Sequence, residues 1–117
     1  MTTNTDYLVQ FLVELIGTFI FLVVVISTGN PIAIGIVLIG LIFFGFFVTG
    51  GFYNPAITSM FFVANVIDGT QFILFLIAQF TGGILAYFFY QYFLKDKIQT
   101  SKNLNTNNLN NGINIVV

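Results

Sequence analysis

Apolar residues in this chain come in long stretches separated by short polar breaks. The first stretch runs from Leu8 to Ile26, interrupted only by Gln10, Glu14, Gly17 and Thr18. The second runs from Ile32 to Val48, between Gly29-Asn30-Pro31 and Thr49-Gly50-Gly51. The third runs from Phe72 to Leu94 and stops at Lys95-Asp96-Lys97. About 20 apolar residues match the roughly 30 Å hydrocarbon core of a bilayer, and lipid admits only helices and closed barrels. The pattern therefore predicts an all-α integral membrane protein with transmembrane helices over about residues 8–27, 32–49 and 71–94.

The segment between the second and third stretches is different. Gly50 and Gly51 end the preceding helix, and Asn54-Pro55 is a helix-start pair, Asn at the cap and Pro in the first turn. A helix from Pro55 to Asn65 rises only about 16 Å, roughly half a bilayer. Two readings fit residues 55–66: a re-entrant half-helix lining a cavity, or a short interfacial helix after an ordinary loop. Residues 1–7 form a short leading segment. They hold no Lys or Arg, and no Ala-x-Ala-like site follows the first apolar run, which argues against a cleaved signal peptide. Residues 95–117 are rich in Asn (Asn103, Asn105, Asn107, Asn108, Asn110, Asn111, Asn114) and are expected to be disordered.

Three crossings would leave the termini on opposite sides. The positive-inside rule puts Lys95, Lys97 and Lys102, and with them the C-terminus, in the cytoplasm. Three cations against none is a small bias, so insertion in both orientations is compatible with it.

Composition narrows the chemistry. Of 117 residues, 57% are apolar and 6% charged, with a net charge of −1, too few charges for a water-facing surface, since soluble domains carry about 25%. Three Lys and no Arg cannot neutralise a phosphate backbone, which argues against nucleic-acid binding. Cys, His and Trp are absent, which removes disulfides, thiolate nucleophiles, imidazole bases and His/Cys zinc sites. With four carboxylates as its ordinary acid/base groups, the chain is expected to be no enzyme and to use no metal or cofactor. Glu14, a carboxylate inside a span, must be partnered or face a cavity. Thr18, Thr81, Ala78, Gly82 and Ala86 suit close helix packing. Tyr7, Tyr87, Tyr90 and Tyr92 suit the membrane interface.

Taken together, Thr49-Gly50-Gly51-Phe52-Tyr53-Asn54-Pro55-Ala56 resembles the loop of the aquaporin, or major intrinsic protein, family, whose members begin each of two half-helices with Asn-Pro-Ala. Glu14-Leu15-Ile16-Gly17-Thr18 resembles the family's first helix, with its Glu followed by small residues. Gly35 falls where the second helix has a Gly, and Ala78-Gln79-Phe80-Thr81-Gly82-Gly83 resembles the Ala-Gln-x-x-Gly opening of the third. The similarity covers residues 8–94. It implies a passive channel for water or small uncharged solutes, with Asn54, Pro55 and Ala56 at the pore midplane and Glu14 and Gln79 supporting the loop.

The chain departs from the family pattern in two respects. Family members carry two inverted repeats, whereas one Asn-Pro-Ala and no internal duplication are found here. Two copies in an antiparallel homodimer would restore both half-helices, and a tetramer of such dimers would match the family's four pores. The second departure is in the selectivity constriction. The family usually has an Arg after its second Asn-Pro-Ala, together with an aromatic residue and often a His; the matching positions here are Ile34, Ile42, Gly51 and Ile57. An apolar ring favours less polar solutes or slows water by dewetting. The partners expected are thus a second copy, membrane lipids and a small neutral solute. Two other readings compete: a dual-topology small multidrug-type proton-coupled exporter using Glu14, and a non-conducting accessory membrane protein.

Overall fold

The computed structural model describes residues 6–116 and is helical throughout its regular elements. Helix α1 spans Tyr7–Thr28, α2 Pro31–Gly45, α3 Pro55–Val63 and α4 Gly69–Phe89. A single π-helical turn, Tyr90–Leu94, joins α4 to α5, Lys95–Val116.

Each boundary has a local cause. Asp6 caps α1 by accepting from Leu8 N at 3.2 Å, and Gly29, with φ of 57°, ends it. The next residue starts α2: Asn30 Oδ1 accepts from Ile32 N at 2.9 Å and Ala33 N at 3.3 Å, with Pro31 in the first turn. Asn54-Pro55 starts α3 in the same way. At α4, Asp68 Oδ1 accepts from Gln71 N at 2.8 Å while Gln71 Oε1 accepts from Asp68 N at 3.2 Å, a reciprocal capping box. Tyr7 Oη donates to the same Asp68 carboxylate, at Oδ2, 3.2 Å away.

Two helices, α1 and the long α4–α5 rod, are long and apolar enough to cross a membrane. The second expected span differs from the prediction. It stops at Gly45 rather than near residue 49, leaving 15 residues, or about 22 Å of rise. Composition alone gives no reason to stop, since the sequence stays apolar through Val48. The chain instead tightens into a turn in which Val48 N and Thr49 N both donate to Gly45 O, at 3.0 and 2.9 Å. Gly50 and Gly51, with φ of 90° and 67°, then redirect it.

The tail also departs from expectation. Residues 95–116 are helical rather than disordered, and those from 99 to 115 are exposed. Seven asparagines disfavour a helix, but α5 extends one already formed, so no new nucleus is required. Thr100 Oγ1 and Thr106 Oγ1 also fold back onto carbonyls four residues earlier, at 2.8 and 3.0 Å.

The molecule is packed inside out relative to a protein in water. Gln10, Glu14, Thr18, Thr49, Thr58, Gln71 and Gln79 are buried, whereas Phe43 and Phe44 are 78% and 86% exposed. That is the arrangement a lipid solvent selects, because unpaired polar groups are costly in hydrocarbon and apolar ones are not. The main internal pairing is α1 against α4 along a small-residue stripe, with Ala78, Gly82 and Ala86 all buried. A Cβ on Gly82 would lie 2.7 Å from Leu15 O and 3.1 Å from Phe19 N, both fixed backbone atoms of α1. Beside this seam, Phe52, Ile67 and Phe75 form a small apolar core, with Phe61 stacked on Phe52 at 4.7 Å.

Because backbone cannot yield as a side-chain tip can, Gly82→Leu should push α1 and α4 apart and destabilise the protein by about 1–3 kcal/mol. Unfolding in detergent measures this, and Gly35→Leu, at a position with nothing within 4 Å, serves as the neutral control.

Candidate functional site

The extended segment between α2 and α3 crosses the interior of the bundle, where its amides have no helical partners. Glu14 of α1 supplies them. Its Oε1 accepts from Phe52 N at 3.2 Å and its Oε2 from Tyr53 N at 2.7 Å. Gln79 of α4 completes the arrangement: its Nε2 donates to Glu14 Oε2 at 2.9 Å and to Thr58 Oγ1 of α3 at 2.7 Å. Glu14 and Thr58 are 0% exposed. One carboxylate and one carboxamide therefore tie α1, α3, α4 and the loop together. A carboxylate offers only acceptors and an amide nitrogen only donors, so the polarity of every contact is matched.

Tyr53 fixes the other side of the loop. It adopts φ of 47°, unusual for a residue with a side chain. Its hydroxyl donates to Leu41 O on α2 at 2.9 Å. The ring passes between α1 and α2 over Gly17 and Gly45, where a Cβ would come within 2.0 Å of Tyr53 atoms in each case. Only glycine leaves room for the ring at these two positions.

The next residue, Asn54, is exposed. Its Oδ1 accepts from Ala56 N at 2.9 Å, so the oxygen faces α3. The carboxamide nitrogen keeps two donors free of partners among the described residues. Pro55 fixes the first turn without contributing an N–H, and α3 presents its partly positive N-terminus at the same point. A neutral solute with an acceptor oxygen can bind such a group, and a cation is repelled by it.

Three of the four expected constriction residues come together. Ile42, Gly51 and Ile57 line one apolar groove of about 290 Å³ that also takes in Phe46, Phe52 and Phe61. Gly51 presses against α2 so closely that a Cβ would stand 2.9 Å from Ile42 Cα. Ile34 does not line this groove; it sits eight residues before Ile42 on α2, about 12 Å along the axis.

Sequence reasoning passed over Thr58, Tyr53 and the Gln10–Gln71 pair, in which Gln71 Nε2 donates to Gln10 Oε1 at 2.9 Å. Gln10 could have been found as a polar interruption of the first apolar run, whereas Gln71 precedes the third run and is marked only by its spacing three residues after Asp68. Thr58 lies four residues after Asn54, on the helix face that returns to α4. Nothing in the sequence marks the left-handed backbone of Tyr53.

A sequence model of the family described as Major intrinsic protein matches residues 2–117. The chain belongs to the major intrinsic protein family. Family membership and the two membrane-length helices make it an integral membrane protein. Among curated relatives of this major intrinsic protein is glycerol uptake facilitator protein-like 6 of Lactiplantibacillus plantarum, 36% identical over 87 residues. That alignment covers 66% of this chain and 40% of the relative, so the chain spans about two-fifths of the relative's length. No solved structure matches significantly.

The geometry makes Glu14 the member of the site least tolerant of change. In Glu14→Gln an amide nitrogen would face either Phe52 N or Tyr53 N, leaving a buried donor unpaired. The expected loss is about 1–3 kcal/mol, seen as a lower unfolding temperature in detergent, with Gln10→Leu as a comparison at the neighbouring polar pair.

Proposed function

We propose that this protein forms a passive transmembrane channel for water or small uncharged solutes, with the pore completed between two inverted copies. The observation that carries the reading is the Asn54 carboxamide, held by a buried Glu14–Gln79–Thr58 scaffold so that its free N–H donors stand at the N-terminus of α3. Membership of the major intrinsic protein family supports it, as does a relative named as a glycerol uptake facilitator-like protein.

In this reading α1, α2 and α4 cross the bilayer and α3 is a re-entrant half-helix. One copy supplies a single half-helix and an open groove, so it cannot enclose a pore. Inverting a second copy about an axis in the membrane plane brings its Asn54 to the same depth. The two helix N-termini then face each other, and their like partial charges oppose cations and break a proton wire. Inversion also accounts for Ile34. The N-terminal end of the partner's α2 lies at the level of the C-terminal end of this one, bringing the partner's Ile34 opposite Ile42, Gly51 and Ile57. Four such dimers could gather as the family's pores do. The exporter reading needs a carboxylate open to a cation, whereas both Glu14 oxygens are engaged by the scaffold. The residues that line the groove carry no charged side chain.

Osmotic shrinkage of proteoliposomes, followed by stopped-flow light scattering, tests the channel. Water or glycerol flux above protein-free vesicles is expected, with Asn54→Trp returning it to background. Background flux for both solutes in the unaltered protein overturns the reading. Ile57→Arg is expected to shift preference from glycerol toward water by adding a fixed donor to the apolar ring. An unchanged preference would show that residue 57 does not line the constriction.

A further inference from the structure

Two polar atoms on the seam between α1 and α4 are left over once the scaffold is complete. Gln79 donates through its Nε2 to Glu14 Oε2 and to Thr58 Oγ1, but its Oε1 is buried with no hydrogen-bond partner. Thr18 Oγ1, one turn beyond Glu14 on α1, is buried and unpaired as well. Both residues are 2% exposed. A third unpaired oxygen, Ser27 Oγ, lies nine residues further along α1, about 14 Å up the axis. Inside a bundle that faces hydrocarbon, such groups are costly unless something satisfies them.

Neither atom has an internal remedy. Turning the Gln79 carboxamide over would set Oε1 against the Glu14 carboxylate, oxygen against oxygen, so its orientation is fixed. Thr28, Thr100 and Thr106 each donate to the carbonyl four residues earlier, whereas the Thr18 hydroxyl is turned off its own helix. The two side chains sit on facing helices at neighbouring levels. Gln79 meets Glu14 at 2.9 Å, and one turn further on a Cβ at Gly82 would stand 3.2 Å from Thr18 Cβ and 2.7 Å from Leu15 O. An offset of one helical turn is about 5.4 Å. No direct bond joins the two atoms, and one bridging molecule spans about 5–6 Å through two hydrogen bonds.

We infer that α1 and α4 hold one buried water molecule between Thr18 and Gln79. The water accepts from the Thr18 hydroxyl and donates to Gln79 Oε1. Its second hydrogen goes to Leu15 O, which faces α4 at Gly82 and has a lone pair beyond its helical bond. Three polar partners are what a buried water typically has. A divalent cation fits worse, because it takes six or more oxygens and both Glu14 oxygens already accept from the loop amides. The water makes Thr18 a positioning residue: it holds the Gln79 carboxamide, and through it Thr58 and the first turns of α3. The site belongs to the scaffold and stands whether or not the chain conducts.

Solid-state NMR of the isotope-labelled full chain in phosphatidylcholine vesicles tests this, by following magnetisation from water protons into side chains. Transfer to the Gln79 carboxamide should be several-fold faster than to the ring of Phe75, which is 0% exposed. Thr18→Val, close in shape but without the hydroxyl, should lower it to the Phe75 level, and Thr18→Ser should preserve it. Transfer to Gln79 as slow as to Phe75 in the unaltered chain overturns the site. Fast transfer that survives Thr18→Val puts the water elsewhere and overturns it too. If Thr18→Val fails to fold, the Thr18 hydroxyl proton of the unaltered chain decides: a cross-peak with water is expected, and its absence overturns the assignment. None of these readouts uses flux, so they are separate from the test of the channel.

Discussion

Two backbone N–H groups, those of Phe52 and Tyr53, set the terms for the rest of this structure. They belong to a segment that is neither helix nor strand, and they lie where no water can reach them. In hydrocarbon such groups are tolerated only when the protein itself satisfies them. Glu14 does so with both of its oxygens. Its own burial is in turn made tolerable by the Gln79 amide, which bridges on to Thr58. Remove the carboxylate and two buried amides lose their acceptor and the tie from α1 through Gln79 to α3 is broken, leaving the loop held only by the Tyr53 hydroxyl and the packing of Phe52.

The same constraint explains the distribution of small residues. A polar scaffold this short works only if the helices carrying it come close. Gly82 and Ala78 let α4 approach α1 near enough for Gln79 to reach Glu14. Gly17 and Gly45 serve the opposite purpose, holding a gap open for the Tyr53 ring. Close packing on one side of α1 and a wedge on the other are two requirements on one helix. On α1 they are met by Glu14, Gly17 and Thr18, three of the four interruptions in its apolar run.

Much of this was legible in the sequence, and what was not has identifiable causes. The apolar stretches gave the helices, and Asn54-Pro55 gave the start of α3, because capping and hydrophobic length are local properties. Glu14 and Gln79 stood out because a polar group in an apolar run needs a reason. The end of α2 was not legible, since it depends on a tertiary contact, Tyr53 against Gly45, in a stretch that reads as continuous helix. The role of Tyr53 was hidden for a related cause: an aromatic residue in an apolar context looks like ordinary filling, and its φ of 47° leaves no mark on composition. For the tail, composition pointed to disorder, while helicity in residues 95–116 continues from α4 and so depends on what precedes the segment rather than on what it contains.

Ile34 shows how a residue can be misplaced within one chain and still be consistent with the proposed assembly. Ile42, Gly51 and Ile57 share a groove because the turn after Gly45 folds the loop back against the last turn of α2. Ile34, two helical turns earlier, cannot join them by any side-chain motion, since about 12 Å of rigid helix intervenes. In the proposed inverted pair, the partner's α2, running the other way, would bring its Ile34 to that depth. The same inversion would set a second Asn54 opposite the first and a second apolar wall across the open groove. If the four positions form one constriction, as proposed, residues of two chains must meet there, and the length of α2 is the reason an inverted second copy would be needed to supply Ile34.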